Sequence, residues 1–162
     1  MSIKEGQLKI SSSICVYNVI ASCTQSIPAL RTLRAHGIPK NSIYMIFKAV
    51  IIGKLTYAAS AWWGFTTADD RQRFESVIRR GIRSGLCAAD QTSLADLVED
   101  ADDNLFNSIL YNNEHVLNRI LPTKTEPTYQ LRPRRHNRSL TMKANATNEC
   151  DFIVRMLFKD IY

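Results

Sequence analysis

One long apolar stretch, from Asn41 to Gly64, dominates the pattern of hydrophobic and polar positions along the chain. Apolar residues recur there at steps of three, four and seven positions, which is the periodicity of an α-helix. They are Ile43, Phe47, Val50, Ile51, Ala58, Ala61 and Trp62. Pro39 before the stretch and Gly64 after it mark its ends, and Asn41 or Ser42 is the expected N-terminal cap. We predict one central helix over this stretch.

The other faces of this helix are also apolar, and a helix that is apolar nearly all round is either a core helix or a membrane span. Lys48 and Lys54 lie inside the run. Each lysine would cost about 2.5–3.5 kcal/mol at the centre of a bilayer. We therefore predict that the helix forms the centre of a protein core, and we expect no membrane contact.

Two further helices flank the central one. Residues 14–36 show helical spacing with Pro28 inside it, so we expect a kink or two shorter pieces there. The polar, serine-rich residues 1–13 are predicted to be a loose leader. After the central helix, Thr67 is the expected cap of a third helix, with Asp69 and Asp70 in its first turn. The apolar stripe of that helix is Phe74, Val77, Ile78 and Ile82.

The remainder of the chain predicts two acidic helices, a basic arm and a last helix. The acidic helices span about residues 93–100 and 102–121. Residues 122–148 contain three of the five prolines and no helical spacing, so they are predicted to be extended. The last helix spans residues 149–162. Its apolar face is Phe152, Ile153, Met156, Leu157 and Ile161.

These elements predict a mainly α fold, a bundle of about five helices around a central apolar helix, with an extended basic arm before a C-terminal helix. The expected organisation is a loose leader over 1–13, a helical domain over 14–121, the arm over 122–148 and a docking helix over 149–162. The 162 residues include only six glycines and five prolines. That is too few for the regular turns of a β-sandwich or barrel.

Charge is distributed unevenly along the chain. Between Ser84 and Asn118 there are seven acids and no lysine or arginine, so the formal charge of +6 leaves +13 for the rest of the chain. Such a division suggests a basic surface that binds a polyanion. The acids are expected to form a solvated face or, in a sharper interpretation, to pair with the arginines of the third helix.

The sequence contains no recognisable catalytic constellation. It has no glycine-rich phosphate loop, no HExxH motif and no nucleophile elbow. The cysteines lack metal-binding spacing and are expected to be reduced, buried thiols of an intracellular protein. They are Cys15, Cys23, Cys87 and Cys150. We predict no catalytic residue, no metal and no cofactor, in a nuclear or cytoplasmic protein that is not secreted.

Two arginine clusters are the positive signal. Guanidinium groups bind phosphate oxygens in pairs and stack on bases, and an extended basic arm suits a single strand or an RNA groove. We therefore predict nucleic-acid contacts on the third helix and on the arm. The predicted contact residues are Arg71, Arg79, Arg80 and Arg83 on the helix, and Arg132, Arg134, Arg135, His136, Arg138 and Lys143 on the arm.

Several short segments follow one another in an order and spacing that extend from about residue 14 to the end. They are LRTLRAHGIP at 30–39, LTYAASAWWG at 55–64, Phe74-Glu75, IRR at 78–80, LRPRRHN at 131–137, and the last apolar residues from Phe152 to Phe158. Together they resemble the region that follows the polymerase core in non-LTR (LINE-type) retrotransposon reverse transcriptases, especially the jockey-like group.

The resemblance implies a helical thumb-like and linker region that contacts RNA or an RNA/DNA template–primer. The fingers and palm of that family, with their catalytic aspartates, would lie upstream of Met1, so the chain is expected to be a fragment without polymerase activity. Asp69 and Asp70 resemble the metal-binding carboxylates of the family only superficially, because they open a helix and capping explains them.

Two other hypotheses stay open. In the first, the chain is a helical protein-interaction module whose arginine helix pairs with its own acids or with a protein. In the second, it is a functionless, marginally folded remnant whose exposed apolar surface makes it associate.

Overall fold

The computed structural model describes residues 3–125, 136–141 and 146–159, and these residues form a mainly α fold, as predicted. The α-helices are α1 (Ile3–Ala35), α2 (Lys40–Phe47), α3 (Gly53–Thr56), α4 (Ala59–Trp62), α5 (Ala68–Arg83), α6 (Leu94–Tyr111), α7 (Ala146–Cys150) and α8 (Phe152–Phe158). A π-helix spans Lys48–Ile52, and 3₁₀ helices span Trp63–Phe65 and Val116–Ile120. The β pairing in this part of the chain is one isolated bridge, between Lys124 and Arg138.

The chain divides into two compact units, Met1–Val98 and Glu99–Tyr162. The boundary lies inside α6, so the predicted helical domain over 14–121 does not coincide with either unit. Most of the predicted arm, residues 126–135 and 142–145, lies outside the described residues.

In the first unit, α1 is one helix from Ile3 to Ala35, so the backbone of residues 3–13 is helical instead of a loose leader. Adding a residue to an existing helix costs less than starting one, so a polar segment can continue a helix that packing stabilises further along. Pro28 lies inside α1 and does not divide it. Four residues anchor α1 in the core: Val16, Cys23, Ile27 and Leu30.

The central apolar helix is present over Lys40–Phe65 but is not uniform. Six of its seven buried residues follow one another at steps of four: Ile43, Phe47, Ile51, Leu55, Ala59 and Trp63; the seventh is Ile52. Four residues of an α-helix turn through about 400°, so such a row would drift by about 40° at each step. The π-helix opposes this drift because its i→i+5 turn is wider, and the Gly53 N–H accordingly bonds to the Lys48 carbonyl.

The second half of the central helix therefore differs from the sequence expectation. Ala58 and Ala61, which a constant 3.6-residue period places with the core residues, are exposed, whereas Ala59 and Trp63 are buried. Ala58 also adopts a left-handed conformation, with φ of 50°, between α3 and α4. The change of phase follows from these two departures from regular α geometry.

Lys40–Phe65 is also, among the described residues, the one helix long and apolar enough to cross a membrane. The core helix of a soluble protein can have the same length and composition. The row of buried side chains packs into the core of the first unit, which agrees with the predicted core helix.

Helix α5 packs on this core through Phe74, Val77 and Ile78, as predicted. Gly81 leaves room for the Phe47 ring, because a Cβ at this position would lie 2.5 Å from Cε2 of that ring. The Thr67 hydroxyl and the Asp70 carboxylate form the predicted cap as a reciprocal capping box.

Replacing Gly81 by alanine should destabilise the first unit. The added methyl overlaps the Phe47 ring, and overpacking of this kind costs about 1–3 kcal/mol. Gly53→Ala is the matched control, because its Cβ would meet only the Lys48 carbonyl oxygen at 3.8 Å. That control should be neutral or stabilising by up to about 1 kcal/mol. Equal unfolding free energies for the two variants in urea would contradict the proposed contact.

Cys23 and Cys87 are free, buried thiols, as predicted, and Cys150 is a half-buried free thiol. Burial raises the pKa of Cys23 and of Cys87 above the ordinary 9.0, and nearby Lys54 only partly offsets this at Cys23. The folded protein therefore favours the neutral thiols.

The raised thiol pKa predicts a loss of stability in alkaline solution. As pH rises above 9.0, the thiols of the unfolded chain lose protons while those of the folded chain keep them. The free energy of unfolding should then fall with pH. Denaturant titrations between about pH 8 and 10.5, a range that brackets the ordinary thiol pKa, should show a smaller fall for the Cys23→Ala/Cys87→Ala variant. An identical fall in both proteins would rule out a contribution from these thiols.

Helix α6 is continuous from Leu94 to Tyr111, so the prediction of two separate acidic helices is wrong. Residues 100–103 contain no glycine or proline to end a helix, whereas the break after Tyr111 has local causes. The Asn112 side chain accepts the Glu114 N–H, and His115 Nδ1 accepts the Leu117 N–H to cap the following 3₁₀ helix. Such side-chain acceptors compete with the helix backbone.

The second unit has its own core, in which α6 packs against α8 through apolar side chains that the sequence had indicated. They are Phe106, Ile109, Phe152, Ile153, Met156 and Leu157. Predicted residue Ile161 lies outside the described residues. Asp151 caps α8, so the predicted single helix over 149–162 is instead α7 followed by α8.

Ion pairs join the same two helices. Arg155 donates to buried Asp102 at 3.1 Å, and Lys159 contacts Glu99 at 2.7 Å and Asp103 at 2.8 Å. Burial alone would lower the pKa of Lys159, but the hydrogen bonds to Asp103 and Glu99 outweigh burial and raise its pKa above 10.5. The acidic stretch is therefore a partner of the C-terminal helix.

Asp102→Ala should destabilise the second unit by about 3 kcal/mol, the low end for breaking a buried pair, because Arg155 keeps some solvent contact. Asp69→Ala is the control, since it removes an exposed pair with Arg73, which contributes about 1 kcal/mol or less. Thermal unfolding of both variants measures the difference. A loss at Asp102 no larger than that at Asp69 would refute the assignment.

Candidate nucleic-acid interface

The predicted arginines of α5 lie on the side of the helix that faces away from the core. Arg71, Arg79, Arg80 and Arg83 are all exposed, whereas Phe74, Val77 and Ile78 face inward. Positions 71, 75, 79 and 83 follow one another at steps of four and so form one ridge along the helix. Arg80 adjoins this ridge. We call these four arginines the arginine ridge.

The acids nearest to the arginine ridge are already engaged. Asp70 belongs to the capping box of α5, and Asp69 forms an ion pair with Arg73 at 2.9 Å. Glu75 accepts the Leu94 N–H at 2.6 Å. Within the first unit, Arg79, Arg80 and Arg83 consequently have neither an ion pair nor a side-chain hydrogen bond among the described residues.

Arg71 is held in place before any ligand binds. Its guanidinium carbon lies 4.9 Å from the centroid of the Trp63 ring, a cation–π distance. Its Nε donates to the Thr66 hydroxyl at 3.1 Å, and its Nη2 donates to the Trp63 carbonyl at 3.5 Å. These contacts fix the plane of the guanidinium, while the side chain stays exposed.

An open cleft of about 360 Å³ lies beside this guanidinium. It is lined by Trp63, Arg71, Gln72, Glu75, Arg79 and Ala95. All six residues belong to the first unit. The cleft combines two cationic side chains with an amide, a carboxylate and an apolar floor.

Arg31 and Arg34 add two cations at the C-terminal end of α5. Arg31 Nη2 donates to the Ser84 hydroxyl at 2.6 Å, and Arg34 Nη1 donates to the Ser84 carbonyl at 2.5 Å. Neither arginine was among the predicted contact residues. Their three-residue spacing places them on one face of α1, but only the fold brings that face to Ser84.

Of the predicted contact residues of the arm, the structure describes only His136 and Arg138. Arg132, Arg134, Arg135 and Lys143 lie outside the described residues. Arg138, which is half-buried, donates from Nη1 to the Pro122 carbonyl at 3.1 Å. His136 is only 8% exposed and packs edge-on against Phe106.

The bonds of His136 identify its tautomer. The Arg138 N–H donates to Nδ1 at 3.1 Å, so Nδ1 is unprotonated. Nε2 then carries the proton and donates to the Leu157 carbonyl at 3.0 Å. Both ring nitrogens are thus used inside the second unit. His136 has a structural role here in place of the predicted contact with nucleic acid.

Among the described residues, no group of three histidine, cysteine or acidic side chains could hold a metal ion. The capping box accounts for Asp70, as predicted, whereas Asp69 forms an ion pair with Arg73 one turn further along the helix.

No family model, no curated protein and no solved structure matches this chain. The resemblance to LINE-type reverse transcriptases therefore stays a hypothesis that rests on the segments quoted for it.

Proposed function

We propose that the chain is a non-catalytic nucleic-acid-binding module that contacts RNA or an RNA/DNA hybrid through the arginine ridge. The observation that supports this proposal is the absence of intramolecular partners for Arg79, Arg80 and Arg83 in the described part of the first unit. Three exposed guanidinium groups with free donors suit the paired oxygens of phosphates.

The resemblance to the post-palm region of non-LTR reverse transcriptases supports the same proposal. In that setting the chain would lie beside a palm and fingers on a preceding segment and would contact the template–primer that they hold. Polymerase activity is not part of the proposal. Asp69 and Asp70 resemble the metal-binding carboxylates of a polymerase, but an ion pair and the capping box of α5 already engage them.

A protein-interaction module, or a remnant with unpartnered apolar surface, is the alternative. Met45 and Tyr57 are 73% and 80% exposed on the central helix, and such side chains favour association. Under this alternative, replacing the ridge arginines would change oligomeric state or stability and leave nucleic acid irrelevant.

Replacing Arg79 and Arg83 by glutamine should weaken RNA binding about tenfold at low salt. Each arginine that contacts a phosphate releases counterions when RNA binds. Loss of both contacts should therefore make the slope of log affinity against log salt concentration shallower by about 1.4 on single-stranded RNA. Fluorescence anisotropy with a short labelled RNA, measured across a salt series, gives both quantities.

Arg73→Gln is the matched control, because it removes one arginine of the same helix whose charge is already paired with Asp69. Its effect should be under about twofold. Salt-insensitive binding by the unaltered chain, or an equal loss in the control, would contradict the proposal. A changed elution volume without any RNA binding would support the interaction module instead.

A further inference from the structure

We propose that the cleft beside Arg71 holds one unpaired nucleobase, so that the arginine ridge binds single-stranded nucleic acid in preference to a duplex. This inference rests on the proposed function and narrows it, because it favours single-stranded RNA over the paired RNA/DNA hybrid. The juxtaposition that carries it is a fixed guanidinium beside a cleft that contains both hydrogen-bond donors and acceptors.

The first step is the stacking platform. The guanidinium carbon of Arg71 lies 4.9 Å from the centroid of the buried Trp63 ring, and the Arg71 side chain is exposed. A base that approaches from the side opposite Trp63 can stack on this guanidinium, as bases commonly do on arginine. The bonds to Thr66 and to the Trp63 carbonyl hold the plane, so little rotamer freedom is lost when a base binds.

The second step is the polar lining. Gln72 offers both an amide donor and an acceptor, and Arg79 offers donors only. Glu75, which lines the cleft, uses Oε1 to accept the Leu94 N–H, and its Oε2 remains a second acceptor. The N-terminus of α6 partly offsets the charge of this carboxylate. A base edge carries donors and acceptors together, and this lining matches that mixture better than it matches a phosphate.

The third step is the path of the strand. Arg79 both lines the cleft and belongs to the ridge, and Arg83 lies one turn further along α5. When a base lies beside Arg71, the sugar-phosphate backbone of its nucleotide therefore lies near Arg79 and Arg83, which form no ion pair among the described residues. In a duplex the bases are stacked and paired inside, and one enters such a cleft only after it has been flipped out at an energetic cost.

The experiment compares three RNA probes of equal charge with the full chain. They are a ten-nucleotide single strand, the same strand with abasic sites throughout, and a short hairpin duplex. The single strand should bind about tenfold more tightly than the abasic strand, since stacking and edge contacts are lost without bases. It should bind more tightly than the duplex by a similar factor.

A variant separates the cleft from general electrostatics. Ala95→Phe fills the cleft without changing charge, and should bring the affinity for the normal strand down to that for the abasic strand while the abasic affinity stays unchanged. Ala101→Phe, at an exposed position on the same helix, is the control and should behave like the unaltered chain.

The outcomes distinguish the two proposals. Equal, salt-sensitive binding of the normal and abasic strands would overturn the base site and leave the arginine ridge as a phosphate-binding surface. Binding of none of the three probes would overturn both. The comparison of probes uses the unaltered chain, so it decides the question even if Ala95→Phe fails to fold.

Discussion

The burial of the apolar face of α5 is the constraint on which the candidate site depends. At Gly81 this packing leaves no room for a side chain, because a Cβ there would overlap the Phe47 ring. Because Phe74, Val77 and Ile78 must then face inward, the arginine ridge has only the solvent side available. The apolar face of α5 thus determines both how the helix packs and on which side its arginines lie.

A second constraint comes from the central helix itself. A buried row at steps of four cannot stay on one side of a regular α-helix over five steps. The π-helix at Lys48–Ile52 and the left-handed Ala58 correct the direction, so that Ala59 and Trp63 return to the core. Trp63 makes the cation–π contact with Arg71 and lines the cleft. The irregular helix geometry that buries Trp63 therefore also positions part of the candidate site.

These particulars show which features the sequence could predict. The start, cap and buried face of α5 follow from a local period and a local capping box, and the structure has them as expected. The buried residues of the central helix after Ile52 were predicted wrongly, because a pattern with a constant period of about 3.6 residues does not allow for a π turn. Arg31 and Arg34 were missed because their partner, Ser84, lies 53 and 50 positions away along the chain. His136 was assigned to a surface because composition does not reveal that Phe106 and Leu157 enclose it.

The distribution of ion pairs has a consequence for binding. An exposed arginine that is paired with a carboxylate must lose that partner before it can bind a phosphate. The free energy lost with the ion pair then largely cancels the free energy gained with the phosphate. In the first unit Asp69, Asp70 and Glu75 are committed to an ion pair, a capping box and a backbone N–H, whereas the acids Glu99, Asp102 and Asp103 of the second unit are bound to α8. In each unit these acids thus serve the structure. Arg79, Arg80 and Arg83 can therefore meet a polyanion without first breaking an ion pair within their own unit, which is the electrostatic condition for a surface of this kind to bind.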